Sequence, residues 1–287
     1  MTNIPLSPGH LRLSKLAPLC LVCRVTLPAV LITGGAARIG AALTRRFAAA
    51  GWHVIIHYGH SSHEAEALAA TLPSAECVHC DLANSDAAVA MVRSLAACLA
   101  DWRMLINCAA VFRNDSAVGL DPEVFSEAVM VNAGTPARMA QAFLAAPDRG
   151  GARSLAGRCV INLLDMKIAN PNPDFFSYTM AKHALAAATK MLAMGQEQVA
   201  AGADRVSADR VYGLAPGAML PSFDQQPEEH ETSGRMNLLH RLTDPAELAE
   251  AALFLSEGWL ASGETLFVDS GQHLLSQPRD VLYLARA

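Results

Sequence analysis

From Ala29 onward the chain alternates short apolar runs with stretches of helical periodicity, and this rhythm restricts the fold more than any other feature. Val30-Leu-Ile-Thr33 reads as a buried strand, and Ile39, Leu43 and Phe47 then recur along one helix face. Gly51 stops that helix; His53 to Tyr58 is a second strand and Glu64 to Leu72 a second helix. A strand at Cys77 to Leu82, a helix at Ala87 to Ala100 and a strand at Met104 to Asn107 follow. The second half repeats the pattern. Long helices run from Pro122 to Ala145 and from Tyr178 to Gln198, strands from Arg158 to Leu163 and Arg210 to Leu214, a helix from Pro245 to Leu255 and a last strand from Thr265 to Val268. Repeated β-α units put successive strands in parallel, with helices over both faces. The expected fold is α/β: one doubly wound domain over residues 29–287 with a mostly parallel seven-stranded sheet. The polar segment from Met219 to His240 breaks the rhythm and reads as a mobile loop over the functional site.

A chain of 287 residues that is 52% hydrophobic can bury this content in one such core. Only 17% of residues are charged, which argues against long disordered tails. The net charge of −5 and the lack of any Lys/Arg cluster argue against a nucleic-acid partner. Seven scattered cysteines, an odd number, read as reduced thiols in a cytoplasmic protein. Two pairs, Cys20/Cys23 and Cys77/Cys80, have CxxC spacing, but strand periodicity points Cys77 and Cys80 to opposite faces, so no metal site is expected. Residues 1–28 stand apart. Arg12 and Lys15 precede the apolar run Leu16 to Cys23, faintly like a signal peptide but too short to span a bilayer and without a small-residue cleavage site. A poorly ordered N-terminal extension and no membrane partner are expected.

Thr33-Gly-Gly-Ala-Ala-Arg-Ile-Gly40 joins the first strand to the first helix. Glycine there lets backbone N–H groups approach a pyrophosphate, and the helix N-terminus stabilises its charge, as in a Rossmann βαβ unit. The end of the second strand selects the cofactor. An acid at that point binds the ribose 2′-hydroxyl of NAD. This chain has His57-Tyr58-Gly59-His60-Ser61-Ser62, with no carboxylate until Glu64. Such a polar, partly basic loop suits a 2′-phosphate, and Arg38 adds a charge-assisted contact, so the expected cofactor is NADPH/NADP+.

Tyr178 and Lys182 share one helix face. An ammonium near a phenol favours the phenolate and lowers its pKa, so the pair is expected to exchange a proton near neutral pH while a nicotinamide exchanges a hydride. With these motifs in this order, residues 29–275 resemble the short-chain dehydrogenase/reductase family. Thr33 to Gly40, including Gly34, Arg38 and Ile39, looks like its TGxxxGxG motif, and Asp81-Leu82 like the pair that meets the adenine. Asn107-Cys108-Ala109-Ala110 stands in place of NNAG, Tyr178-Thr-Met-Ala-Lys182 is the YxxxK pair, and Pro216-Gly217 follows the sixth strand. The resemblance implies catalytic roles for Tyr178 and Lys182 and a structural and proton-relay role for Asn132. It also implies that Lys182 contacts the nicotinamide ribose, and that a homotetramer forms through the long helices.

One departure narrows the reading. Most family members carry a serine where this chain has Asp165. A hydroxyl there would bond a substrate carbonyl, whereas a carboxyl group can bind and protonate a nitrogen heterocycle. The same change is found in pteridine reductases, which this chain resembles further, as it does dihydromonapterin reductases. Phe112 falls where those enzymes stack the pterin under an aromatic ring. The resemblance implies NADPH-dependent reduction of a small dihydropterin-type substrate, with Phe112, Asp165 and Tyr178 against it. Two alternatives remain: an NADP-dependent ketone or 3-oxoacyl reductase, or a non-catalytic NADP(H)-binding sensor.

Overall fold

A computed structural model of the chain describes residues 27–148, 157–202, 209–222 and 224–287. The expected N-terminal extension, with Cys20 and Cys23, lies outside the described residues apart from 27 and 28. The strands are β1 (Ala29–Ile32), β2 (His53–Tyr58), β3 (Ala75–His79), β4 (Trp102–Asn107), β5 (Cys159–Leu163), β6 (Arg210–Pro216) and β7 (Thr265–Val268). They form one parallel sheet in the order β3-β2-β1-β4-β5-β6-β7. Successive side chains leave a strand on opposite faces. In β1, Val30 and Ile32 therefore join one apolar cluster and Ala29 and Leu31 the other. The first cluster takes Leu43 and Phe47 from α1 (Arg38–Ala49), Ala65 and Leu68 from α2 (Ser62–Ala69), and Leu248 and Ala252 from α8 (Pro245–Ser256). The second takes Val92 and Leu95 from α3 (Ser85–Cys98) and Met139 and Phe143 from α5 (Thr135–Ala145). Each fully buried Val, Leu, Ile, Phe or Met among them contributes roughly 1.5–3 kcal/mol of transfer free energy.

Strand order reverses between β1 and β4. Crossovers leave in opposite directions there, and the carboxyl ends of the two strands open a crevice. The turn after β1, the residues after β4 and β5, and α6 (Phe176–Gly202) all meet at this end.

Three elements differ from the sequence reading. The third strand ends at His79, because Cys80 and Leu82 turn inward and pack under α3. The helix expected from Pro122 to Ala145 is α4 (Pro122–Val129) and α5 joined by one wider π-type turn, Met130–Gly134, in which the Thr135 N–H donates to Met130 O. The segment from Met219 to His240 is not loop throughout: it contains α7 (Pro227–Gly234), started by Pro227 and a capping box between Gln226 and Glu229. A last short helix, α9 (Val281–Ala285), packs on α7. Arg286 bonds Asp224 and Glu229 and ties the two together. Among the described residues no helix is long and apolar enough to cross a membrane.

Candidate active site

The turn after β1 is built around backbone groups. Gly34 has φ +64°, and a Cβ there would lie 3.1 Å from Ala109 Cα. A Cβ on Gly40 would lie 2.0 Å from Gly34 O, so the start of α1 closes on the turn only without a side chain. Thr33 Oγ1 accepts from the Cys108 and Ala109 N–H groups at 2.9 and 3.0 Å and pins the turn to the end of β4. The N-terminus of α1 opens on a cavity of about 410 Å³, with no side-chain cap and no acid in its first turn. Uncapped first-turn amides and the helix dipole favour an anion. The glycine cradle therefore fits the pyrophosphate of a dinucleotide.

Deeper in the same cavity stand Tyr178, Lys182, Asp165, Cys108 and Phe112. Asp115 fixes the start of α6: its carboxylate accepts from the Ser177 N–H and, more closely, from the Ser177 hydroxyl. Phe175, at φ +52°, turns the chain into this helix and stacks on Phe112 with ring centroids 4.1 Å apart. Phe112 in turn meets the Tyr178 ring edge-on at 4.7 Å. One face of Phe112 is thus already used by Phe175.

Asp165 follows β5 and begins a turn of 3₁₀ helix, Met166–Ile168. Its Oδ1 accepts from the Lys167 N–H and its Oδ2 from the Tyr178 hydroxyl, each at 2.9 Å. Lys182 Nζ donates to Leu163 O at 2.6 Å and lies 5.5 Å from the centre of the Tyr178 ring. The electrostatics correct the sequence reading. Burial and the neighbouring Asp165 carboxylate hold the Tyr178 phenol well above its ordinary pKa, not below it. Burial likewise raises Asp165 against the pull of Lys167, and lowers Lys182 to about 8. Burial acts first and the hydrogen-bonded Asp165 carboxylate second, while the Lys182 ammonium is engaged with the Leu163 carbonyl. The site holds a proton between two oxygens.

These strands, this turn and this tyrosine-lysine helix match a known family. The family model described as enoyl-(acyl carrier protein) reductase covers residues 34–273. The chain belongs to the short-chain dehydrogenase/reductase family. Among solved members, a FolM alternative dihydrofolate reductase 1 from Brucella canis, described as complexed with NADP, is 32% identical, with a TM-score of 0.76 over 90% of this chain and 98% of that one. Pteridine reductase 1 of Leishmania tarentolae is 26% identical over 87% of this chain and 97% of its own length. A putative ketoacyl reductase 2 of the granaticin polyketide synthase of Streptomyces violaceoruber is 27% identical over 86% and 97%.

Of the residues singled out by short-chain reductase motifs, Gly34, Arg38, Ile39, Cys108, Ala109, Phe112, Asp165, Tyr178, Lys182, Pro216 and Gly217 line the cavity. Tyr58, Gly59, His60, Ser61, Asp81 and Leu82 cluster at the ends of β2 and β3, outside it. His57 corrects the expected partly basic loop. It is buried, its Nδ1 accepts from the Gly34 N–H at 3.2 Å, its Nε2 donates to Cys80 O at 3.0 Å, and burial lowers its pKa to about 4. It is a neutral prop under the glycine turn. Asn107 turns away from the cavity and donates to Asn162 Oδ1 and Pro136 O. Asn132 bonds Val111 twice through its side-chain amide, accepting from its N–H and donating to its carbonyl, both at 2.8 Å. Its side chain therefore pins the 111 loop, and one amide N–H and one carbonyl lone pair stay open to further partners.

The sequence reading missed Asp115, Phe175, Lys167 and the C-terminal residues Asp280, Val281 and Leu282, of which all but the first two line the cavity. Lys167 alone left a signal, a charge between Met166 and Ile168 in an apolar turn.

Proposed function

We propose that the protein is an NADPH-dependent reductase acting on a dihydropterin-type C=N bond. The observation that carries this reading is the Asp165–Tyr178 hydrogen bond in the cavity, where the commoner serine would supply only a hydroxyl. Asp165 and Tyr178 share a proton that a ring nitrogen can take, and burial keeps that proton bound near neutral pH. The bound cofactor would supply the hydride. Lys182, held by Leu163 O, sits beside the tyrosine where it can meet the nicotinamide ribose and return charge balance after proton transfer. Phe112 supplies an aromatic wall for a flat substrate. The relatives named pteridine reductase and alternative dihydrofolate reductase support the substrate class.

The choice of NADP over NAD rests on the end of β2, where no acid stands before Glu64 to repel a 2′-phosphate. The NADP complex of the Brucella relative supports it. Arg38 and the loop of Tyr58 to Ser61, together with Asp81 and Leu82, would hold the adenosine half, and Pro216 and Gly217 the nicotinamide half. We also take the protein to be cytoplasmic and a homotetramer. Exposed Met180, Met191 and Met194 on α6 support helix-to-helix assembly.

The ketoacyl relative gives a ketone or 3-oxoacyl substrate its support, but a carboxylate is a poor partner for a ketone oxygen. A sensor without turnover would have no use for the Tyr178–Lys182 pair. The test is NADPH oxidation with dihydrobiopterin, dihydrofolate, dihydromonapterin and a ketone panel side by side. Turnover confined to the dihydropterins is expected; turnover of ketones alone would refute the substrate, and binding of NADH as tight as that of NADPH would refute the cofactor.

A further inference from the structure

Asp165 is held through a turn whose side chain reaches to the other end of the chain. Lys167, whose N–H bonds Asp165, sends its own ammonium inward; the residue is 3% exposed and lies 4.9 Å from the centre of the Phe175 ring. There it pairs with the carboxylate of Asp280. Asp280 caps α9 through the Leu282 N–H at 3.0 Å, and its own N–H donates to Asp174 Oδ2 at 2.8 Å. Arg279 Nε donates to that same Asp174 oxygen at 2.7 Å. Lys167, Asp280 and Leu282 line the cavity, and Leu282 packs with Phe175 and Tyr178.

Two buried charges are costly to desolvate, and an apolar pair would hold this corner as firmly. An apolar pair would not place a cation on the Asp165 side and an anion behind it. We propose that the Lys167–Asp280 ion pair is a positioning device of the active site: it joins the C-terminal segment to the turn bearing Asp165 and sets the charge around the Asp165–Tyr178 couple. The proposal rests on the reading of that couple as the proton source.

The groups that face Asp165 are Lys167 on its own turn, Tyr178 and Lys182 from α6, and Cys108 beyond β4 through its effect on both of those. Asp280 faces Tyr178 and Lys167 from the C-terminal segment, with Asp174 and Arg279 behind it. The lysine favours loss of the shared proton and Asp280 opposes it. The two halves of one ion pair therefore pull the proton-dependent limb of the rate in opposite directions.

The experiment is the pH dependence of kcat for wild type, Lys167→Met, Lys167→Arg, the Lys167→Arg/Asp280→Asn double variant and the Lys167→Met/Asp280→Asn double variant. Arginine is used in the first double variant because a lone buried lysine could shed its proton. Activity needs the proton, so it falls as pH rises through the couple's apparent pKa. Lys167→Met should move that limb up by about one pH unit or more, and Lys167→Arg/Asp280→Asn should move it down by a similar amount. Lys167→Arg alone should leave it in place, and the neutral double variant should return it to near the wild-type position. Should Lys167→Met not fold, Lys167→Gln reads the same displacement. NADPH fluorescence titration checks that each variant retains an assembled cavity. Limbs that coincide, or that move the same way in both charge deletions, would overturn the proposal and leave the pair a structural tie. The profiles are taken with whichever dihydropterin or ketone the wild type reduces. Failure of the substrate reading thus shows in the wild type alone, and failure of this proposal in the differences between variants.

Discussion

Gly40→Ala should cost the protein most of its nucleotide affinity while leaving it folded. The new Cβ would stand 2.0 Å from Gly34 O and 2.8 Å from Gly34 C, both backbone atoms. Reaching even a tight contact of about 3 Å requires the carbonyl to retreat by about 1 Å. It cannot retreat alone, because Gly34 backs onto Ala109 Cα and its N–H is held by His57. The whole turn must shift, and with it the amides that would face the pyrophosphate. Losing one hydrogen bond to a charged group costs about 1.5–3 kcal/mol, a rise in Kd of roughly 10- to 150-fold. The control is Gly195→Ala on α6, where a Cβ meets nothing within 4 Å. It should leave Kd unchanged and stabilise the helix slightly. NADPH fluorescence titration reads both variants, and thermal melts show whether they are folded. A folded Gly40→Ala protein that binds NADPH as tightly as wild type would refute the cradle.

Two further outcomes follow from the site. Tyr178→Phe removes the hydroxyl that bonds Asp165 and should lower kcat by about two orders of magnitude, with NADPH affinity kept; single-turnover kinetics check it. His57 gives the fold an acid-sensitive prop. Its pKa is about 4 in the folded protein against an ordinary 6.5, so between these values the unfolded chain takes up a proton that the folded one does not. Stability from this residue is complete above 6.5 and lost as pH falls toward 4, amounting to about 3 kcal/mol. His57→Gln should flatten that loss, which urea denaturation at about pH 7 and about pH 5 would register.

The strands and the glycine turn were legible because their signals are local. Val30 and Ile32 against Ala29 and Leu31 is a period-2 pattern, and Gly34 and Gly40 sit where a strand must pass into a helix. The identity of Asp165 was legible too, since its position before Tyr178 needs only the helix to be placed. What the sequence could not convey was which partner each group would find. His57 reads as an exposed basic residue until the fold buries it under Gly34. Tyr178 and Lys182 share a helix face, yet the fold buries the phenol against Asp165 and draws the lysine to Leu163 O; burial first and the Asp165 carboxylate second reverse the expected shift of the phenol. Asn132 meets Val111 from within the π-type turn, a local distortion without a residue signature. Asp280 lies at the far end of the chain from Lys167, and no periodicity links them.

In the proposed function, Asp165 is the group that directs reduction to nitrogen heterocycles. The most direct measurement is kcat/KM for a dihydropterin and for a ketone, in wild type and in Asp165→Ser. The serine variant should lose about two orders of magnitude on the dihydropterin and keep or gain activity on the ketone. Equal losses on both substrates, or an unchanged preference for the dihydropterin, would contradict it.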